Sequence, residues 1–334
     1  MELFWSISLI LLGVVAAVIG SNILVDGSSQ IAKKFGISDL IIGLTVVAFG
    51  TSSPELAVNL SASITGATDI AIGNIVGSNI FNVFIILGIS AIIYPVSVQS
   101  NSVWIEIPLS LLAALVVGFT ANDIFFDGGA LNQITRIDGM VFLCFFAVFM
   151  YYTVYTSKAI PKDQDALERE IHESEKDKPD MPISKAALYI VAGLVFLYFG
   201  SEWLVAGAKT IAKFAGLSDA IVGLTIVAAG TSVPELATSA TAAYKKNSDI
   251  AIGNVVGSNI FNIFFILGLS AVITPLPFIS PTATLDILMC IFSSLIVFTF
   301  AFTGRKRNII SRVEGVFLII VYIIYVTYLI LQVT

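Results

Sequence analysis

The chain has 334 residues, of which 57% are hydrophobic and 12% are charged, and its formal net charge is −6. An ordinary soluble domain carries about twice that charged fraction, so the composition excludes a soluble globular protein and indicates a membrane protein. We therefore expect a lipid bilayer as a partner, and no nucleic acid.

Ten apolar runs are long enough to cross a bilayer, which takes about 17 to 25 residues per helix. They are residues 4–25, 38–64, 70–94, 102–121, 137–156, 185–207, 218–243, 250–275, 282–303 and 313–332. The first run lacks the basic start and the cleavage site of a signal peptide, so we predict a retained helix. The sequence thus predicts an all-α membrane protein with ten transmembrane helices.

The second span contains the polar segment GTSSPEL, residues 50–56, in the middle of its apolar residues. Pro54 has no N–H and its ring clashes with the preceding turn, so we predict that the helix breaks or kinks there. Glu55 lies at the break, where a charge at the bilayer centre costs about 2.5 to 3.5 kcal/mol or more. Thr51 and Ser52 precede Glu55 by four and three residues and share its face of a helical turn.

The third span contains GNIVGSNIFN, residues 73–82. Ser78 and Asn82 are four residues apart and share a helix face, with Asn74 one turn earlier. For Asn79, support of a ligand and hydrogen bonding between helices are equally open. The glycines are typical of close helix packing.

The segment 157–184 holds eight acidic and five basic residues, and we expect a solvated loop. It contains the only histidine, His172, which excludes a proton relay through membrane-embedded histidine. Cys144 and Cys290 fall inside predicted spans, where we expect small buried apolar side chains.

The second half of the chain repeats the first. Residues 216–280 align with residues 36–100 without a gap, and 39 of the 65 positions are identical. The second copy of the polar residues is Thr231, Ser232, Pro234, Glu235, Asn254, Ser258, Asn259 and Asn262. Each copy covers five spans, and an odd number of crossings forces the second copy to enter from the opposite face.

We therefore predict two inverted five-helix repeats, residues 1–156 and 185–334, joined by the charged loop 157–184. Inverted repeats recur in secondary transporters, whose substrate site lies at the midplane between the copies. Of the 17 Lys and Arg residues, all but Arg136, Lys209 and Lys213 fall on one side of the ten spans. The positive-inside rule makes that side cytoplasmic. The prediction is a multi-pass cell-membrane protein with a cytoplasmic loop and both termini extracellular.

No Lys or Arg lies in the central part of a predicted span, so a bound metal ion or a proton is the partner left for Glu55 and Glu235. We call GTSSPEL with GNIVGSNIFN, and their second copy, the two cassettes. Their carboxylate, hydroxyl, amide and carbonyl oxygens are ligands that suit Ca2+. Sulfur and imidazole ligands that would favour zinc or copper are missing from them.

The two cassettes resemble the alpha-repeats of the calcium:cation antiporter superfamily, in its prokaryotic sodium/calcium exchanger branch. The resemblance implies exchange of internal Ca2+ for external Na+, usually three Na+ per Ca2+, as the first and sixth spans slide past a fixed core. It also implies the ion ligands. Glu55 and Glu235 would bind Ca2+ with help from Thr51 and Thr231. The Na+ sites would be lined by four serines, Ser52, Ser78, Ser232 and Ser258. The remaining central positions would be occupied by Asn82 and Asn262.

Several alternatives stay open. A proton-coupled exchanger, a K+-dependent exchanger or an exchanger of another divalent cation would use the same groups. The potassium-dependent relatives carry Asp at the position of Asn262, and proton-coupled relatives have an asparagine-alanine motif before the glutamate, so both are disfavoured here. An enzyme is not expected, because no nucleophile has a general base except the duplicated Ser and Glu. No cofactor is expected besides the transported ions.

Overall fold

The computed structural model describes residues 2–99, 103–126, 128–129, 131–157, 181–214, 228–278, 283–303 and 308–333. These residues are almost entirely helical. Two short antiparallel strand pairs join distant parts of the chain, β1 (Val96–Ser97) with β4 (Ile309–Ile310) and β2 (Gln133–Ile134) with β3 (Leu276–Pro277). Most of the predicted loop 157–184 and the start of the predicted seventh span lie outside the described residues.

The helices of the first half follow the predicted spans. They are α1 (Glu2–Phe35), α2 (Asp39–Ile42, continued by the π-helical turn Gly43–Val47 and by Ala48–Thr51), α3 (Ser53–Thr65), α4 (Thr68–Phe81, continued by the π-helical turn Asn82–Leu87 and by Gly88–Ile93), α5 (Glu106–Thr120), α6 (Asp123–Phe126) and α7 (Arg136–Ser157).

The described helices of the second half follow the same order, except that none corresponds to α6. They are α8 (Ile183–Phe214), α9 (Ala228–Thr231), α10 (Val233–Tyr244), α11 (Ser248–Ile260, continued by the π-helical turn Phe261–Leu267 and by Gly268–Ile273), α12 (Ala283–Thr303) and α13 (Arg312–Val333).

The protein is an all-helical membrane protein. In the part of the chain that the structure describes, seven helices are long and apolar enough to cross a membrane, or eight if a bent pair counts as one span. That pair is α2 and α3, whose axes differ by 47°, so the predicted break at Pro54 is confirmed. α5 covers the predicted fourth span but has only 15 residues.

α4 and α11 form the centre of the structure. Their most apolar stretches are 72% and 78% buried, whereas the other long apolar helices reach at most 39%. Both contain a π-helical turn, and such turns appear frequently at functional sites. The two helices that carry the GN(I/V)VGSNIFN segments are therefore shielded from lipid by the rest of the bundle.

α1 and α8 pack against each other along a seam of glycines. A Cβ atom at Gly13 would lie 2.6 Å from the carbonyl oxygen of Gly200, and one at Gly20 would lie 2.8 Å from that of Gly193. A Cβ at Gly207 would lie 2.6 Å from the carbonyl oxygen of Ser6. The two backbones approach this closely because the glycines have no side chain.

The prediction that both cysteines are buried is only half correct. Cys290 on α12 is buried, but Cys144 on α7 is exposed. α7 turns an apolar face outward, as Met140, Val141 and Val148 on the same helix show. A small apolar side chain is stable in lipid as well as in a protein core, so hydropathy alone does not separate the two environments.

Candidate functional site

Two helix breaks place the acidic residues at the start of a helix. Ser52 separates α2 from α3 with φ −80° and ψ 10°, and Ser232 separates α9 from α10 with φ −88° and ψ 9°. A proline occupies the first turn of each new helix, where its missing N–H costs nothing. Glu55 and Glu235 follow in that turn, where the free backbone N–H groups stabilise negative charge.

The serine at each break reaches the carboxylate of the other half. Ser52 Oγ donates to Glu235 Oε1 at 2.7 Å, and Ser232 Oγ donates to Glu55 Oε1 at 3.0 Å. Glu55 is fully buried and Glu235 is 1% exposed. Glu55 and Glu235 therefore belong to one buried cluster. The serine at the break before Glu55 binds the Glu235 carboxylate, and the serine at the break before Glu235 binds the Glu55 carboxylate.

The serines of the two central helices join this cluster. Ser78 Oγ on α4 donates to Glu55 Oε1 at 3.5 Å, and Ser258 Oγ on α11 lies within hydrogen-bond distance of Ser52 Oγ, at 3.0 Å. All four serines of the cassettes, at positions 52, 78, 232 and 258, are fully buried. Glu55 Oε1 thus accepts two hydroxyl donors, one from each half of the chain.

Four asparagines on α4 and α11 form a second buried group beside the acids. The Nδ2 atoms of Asn79 and Asn259 donate to each other's backbone carbonyl at 3.1 and 3.4 Å. Asn82 Nδ2 donates to Asn259 Oδ1 and Asn262 Nδ2 donates to Asn79 Oδ1, both at 3.0 Å. Asn79 and Asn259 therefore fix the amide groups of Asn82 and Asn262.

The threonines before the breaks also bond across the two halves. Thr51 Oγ1 donates to Asn254 Oδ1 at 3.1 Å, and Thr231 Oγ1 donates to Asn74 Oδ1 at 3.3 Å. The Thr231 and Thr51 side chains also interact with the carboxylates of Glu55 and Glu235, respectively. The threonines thus tie each break to the central helix of the other half.

Four oxygen atoms of this cluster lack a hydrogen-bond partner among the described residues. They are Glu55 Oε2, Glu235 Oε2, Asn82 Oδ1 and Asn262 Oδ1, and each is buried. An unsatisfied buried acceptor costs about 1 to 3 kcal/mol, and more when it is charged. Two carboxylate and two amide oxygens in such a place are the hard donors that a Ca2+ or Na+ ion takes as ligands.

All ten residues predicted to bind ions are buried in this cluster. The other membrane acids lie elsewhere. Glu106 accepts from the Tyr152 hydroxyl at 3.3 Å and Asp286 from the Tyr325 hydroxyl at 2.6 Å. Asp26 forms an ion pair with Lys245 at 2.9 Å. Glu106, Asp286 and Asp26 thus have polar partners outside the cluster.

Two further pairs of buried polar residues in the cluster were not among the ten predicted ion ligands. Asn79 orients Asn262, and Asn259 orients Asn82. For Asn79, support of a ligand and hydrogen bonding between helices were the two alternatives. Asn59 and Ser239 were overlooked, although each lies one turn after a glutamate and is fully buried. The signal that would have found them is the i, i+4 spacing from the two glutamates.

Replacing Asn79 by Ala is expected to lower ion transport by about tenfold or more, since it removes about 1 to 2 kcal/mol for each lost hydrogen bond and frees the amide of Asn262. Asn259→Ala should have a similar effect through Asn82. Transport by the purified variants in liposomes measures this, and a Ser61→Ala variant, altered outside the cluster on α3, is the control. Wild-type transport by Asn79→Ala would contradict the positioning role.

The chain is similar to known proteins over nearly its full length. The sequence profile of the family described as Sodium/calcium exchanger protein matches residues 5–155 and 185–331. The chain is 37% identical over 316 residues to the putative antiporter CaxA of Alkalimonas amylolytica, covering 95% of this chain and 96% of that protein.

Two further matches are named as sodium/calcium exchangers. The chain is 32% identical over 343 residues to the sodium/calcium exchanger MaX1 of Methanosarcina acetivorans, covering 96% of this chain and 97% of that protein. A solved structure of the sodium-calcium exchanger NCX_Mj, soaked with Na+ and Sr2+, superposes with a TM-score of 0.81 at 31% identity. That match covers 97% of this chain and 98% of the solved one.

Proposed function

Because the chain belongs to the sodium/calcium exchanger protein family, we propose that it is a secondary active antiporter that exchanges Ca2+ for Na+ across the cell membrane. It is a transporter, as its relatives are, and not an enzyme. The observation that carries the proposal is the buried cluster in which Ser52 and Ser232 each hold the carboxylate of the other half. Two carboxylates facing no basic side chain among the described residues suit one divalent cation.

The proposed ligands follow from the free oxygens. Glu55 and Glu235 bind Ca2+ in the centre, with Asn82 and Asn262 in the remaining central positions, since these four side chains keep a buried oxygen without a donor. Ser52, Ser78, Ser232 and Ser258 line flanking Na+ sites, because their hydroxyls surround the carboxylates. Thr51 and Thr231 support the centre through Asn254 and Asn74.

The proposed architecture is ten transmembrane helices in two inverted repeats, residues 1–156 and 185–334, with the loop 157–184 between them. Reciprocal contacts support it. Asn79 and Asn259, which are 180 positions apart, exchange equivalent hydrogen bonds, as the residues at a twofold axis do. Five spans per copy would relate the copies by an axis in the membrane plane.

The proposed orientation places the loop 157–184 in the cytoplasm and both termini outside. It rests on the distribution of basic residues, fourteen on one side and three on the other. The ion pair between Asp26 and Lys245 agrees with the proposed topology, in which the end of α1 and the 245–247 loop lie on the same side of the membrane.

Charge balance gives the proposed stoichiometry. Two carboxylates neutralise one Ca2+, whereas three Na+ ions leave one excess positive charge, so exchange at three to one moves net charge. Alternating access requires that both sets of ions compete for the same oxygens, which agrees with a single cluster of donors.

Uptake of Ca2+ into Na+-loaded liposomes tests the proposal. We expect uptake to stop when the Na+ gradient is removed at constant pH, to be unchanged by external K+, and to generate an inward-negative potential as three Na+ leave for each Ca2+. Uptake that depends on a pH gradient or on K+ instead would favour the proton-coupled or K+-dependent alternative. A current of the opposite sign, or none, would reject the three-to-one ratio.

A further inference from the structure

The loop between α10 and α11, residues 245–247, is bound to α1 by a lysine. Lys245 Nζ forms an ion pair with Asp26 Oδ1 at 2.9 Å and donates to the Asn22 carbonyl, also at 2.9 Å. The side chain of Lys245 is 19% exposed and that of Asp26 is 42% exposed. An ion pair this exposed is weak by itself, so the contact depends on the hydrogen bonds that accompany it.

Asn247 in the same loop extends this contact to two more helices. Its Nδ2 donates to the Asp39 carboxylate at the start of α2 and to the Ser29 hydroxyl of α1, the latter at 3.2 Å. Its Oδ1 accepts from the backbone N–H of Ile250, in the first turn of α11, at 3.0 Å. We call this set of side chains the loop clamp: Asp26, Asp39, Lys245 and Asn247.

The loop clamp lies next to an apolar contact between α1 and the second half. Val25 on α1 belongs to a cluster of buried side chains with Ala242 on α10 and with Ile250 and Ala251 on α11. All four residues are at most 2% exposed. The clamp and this apolar cluster together hold α1 against α10 and α11.

The corresponding loop of the first half, residues 65–67, lacks the side chains of a clamp. At the offset of 180 residues, Thr65 and Ala67 occupy the positions of the lysine and the asparagine. On α8, Ala206 occupies the position of the aspartate that pairs with the lysine. The Thr65 hydroxyl donates to a carbonyl of its own helix α3 at 2.8 Å. The first copy of the loop therefore cannot form this ion pair with α8.

The two loops nevertheless have a similar backbone. Gly66 has φ 78° and Lys246 has φ 60°, so both loops contain a left-handed residue at the same position. The clamp is thus a property of the side chains of one copy. In the proposed topology the two loops lie on opposite faces of the membrane, so only one face has a clamp.

The two long helices α1 and α8 also have different polar partners. Ser21 Oγ on α1 lies 2.7 Å from Thr241 Oγ1 on α10. Its equivalent, Ser201 on α8, donates at 2.5 Å to the Gly230 carbonyl, whose intrahelical donor is missing because Pro234 has no N–H. The two copies thus adopt two arrangements, and an inverted repeat that exchanges them between its copies opens to the other side of the membrane.

We propose that the loop clamp keeps the ion site closed on its own side of the membrane, the cytoplasmic side in the proposed topology, and so favours the state that faces outside. The inference rests on the proposed function, since only a transporter with alternating access passes between two such states. To open on the cytoplasmic side, α1 has to leave the 245–247 loop and break the ion pair. Leaving the opposite state breaks no such pair, because Thr65, Ala67 and Ala206 cannot form one.

The reactivity of a buried cysteine tests the clamp. In a background with Cys144→Ser and Cys290→Ala, the probe Ala242→Cys lies in the apolar cluster beside Val25 and becomes accessible when α1 moves away. Its rate of modification by a water-soluble sulfonated thiol reagent is measured in detergent micelles, where the reagent reaches both ends of the protein. The readout requires neither transport nor the proposed orientation, so it can fail independently of the proposed function.

We expect Lys245→Gln and Asp26→Asn each to raise the rate at the probe about threefold to fivefold, the shift in population that follows from losing a partly exposed ion pair. The double variant should be no faster than the faster single variant, because both changes remove the same pair. Lys246→Gln is the matched control. Lys246 is the exposed neighbour in the same loop, so its loss should leave the rate unchanged.

A second probe, Ala113→Cys, separates opening of the α1 contact from general loosening of the protein. Ala113 on α5 is fully buried in a different apolar cluster from that of Val25, and a cysteine there should stay unreactive in every variant. An unchanged rate at Ala242→Cys in both clamp variants, or additive rates in the double variant, would overturn the loop clamp. So would an equal increase at Ala113→Cys or with Lys246→Gln.

Discussion

Glu55→Gln and Glu235→Gln are each expected to lower Ca2+ uptake by about a hundredfold or more, because losing one of two charges facing a divalent cation costs about 3 kcal/mol or more. Glutamine keeps the shape of the side chain and one acceptor oxygen. The serine hydroxyl from the opposite break can still donate to that oxygen, so the packing of the cluster should survive. The initial rate of Ca2+ uptake into Na+-loaded liposomes measures the effect.

The thermal stability of these variants separates loss of binding from loss of folding. In Ca2+-free buffer the glutamine variants should unfold at the same temperature as the parent or higher, because a buried charge has been removed. Ca2+ should raise the Tm of the parent and not that of the variants, since ligands that bind only the folded state stabilise it. Glu202→Gln is the matched control, because Glu202 lies on the membrane helix α8 but is exposed. Intact exchange by both Glu55→Gln and Glu235→Gln would refute the proposed site.

Gly20→Leu is expected to have the second large effect, a loss of about 3 kcal/mol or more of stability, because the added side chain collides with backbone atoms rather than movable side chains. A Cβ at this position would lie 2.8 Å from the Gly193 carbonyl oxygen and 2.9 Å from Leu197 N. α1 and α8 would have to separate along their whole seam. The yield of monodisperse protein on size exclusion, together with the Tm in detergent, measures this loss.

Val18→Leu on the same helix is the control for the glycine substitution. Val18 is 52% exposed, so the larger side chain extends into lipid and should leave both yield and Tm unchanged. Gly200→Leu should behave like Gly20→Leu, since its Cβ would lie 2.9 Å from both the Gly13 carbonyl oxygen and Ala17 N. A Gly20→Leu protein with the parent's Tm would show that the seam does not require glycine.

Much of the fold could be predicted because the relevant properties are local. Hydropathy over about 20 residues identifies a membrane helix, and a proline interrupts the helical hydrogen bonds to the turn before it. The break before Pro54 was therefore predicted to within two residues, and it lies at Ser52. The side of a helix that faces lipid is not a local property, which is why the burial of Cys144 was predicted incorrectly.

The residues of the proposed ion site could be predicted, but the hydrogen bonds between them could not. Glu55 and Glu235 were identified because a charge in an apolar span needs a compensating partner. That Ser52 bonds to Glu235 rather than to its neighbour Glu55 depends on how the two halves pack, since the bond joins residues 183 positions apart. The same holds for the hydrogen bonds that Asn79 and Asn259 exchange.

The membrane class, the duplication, the two helix breaks and the identity of the buried acids could all be predicted from the order of residues. The order of residues carries these features directly, through hydropathy, repetition and the missing N–H of proline. The sequence did not predict which serine holds which carboxylate, which asparagines orient others, or which buried oxygens have no hydrogen-bond partner in the described structure. Those outcomes depend on distances between helices that are far apart in the chain, and packing of the whole bundle sets them.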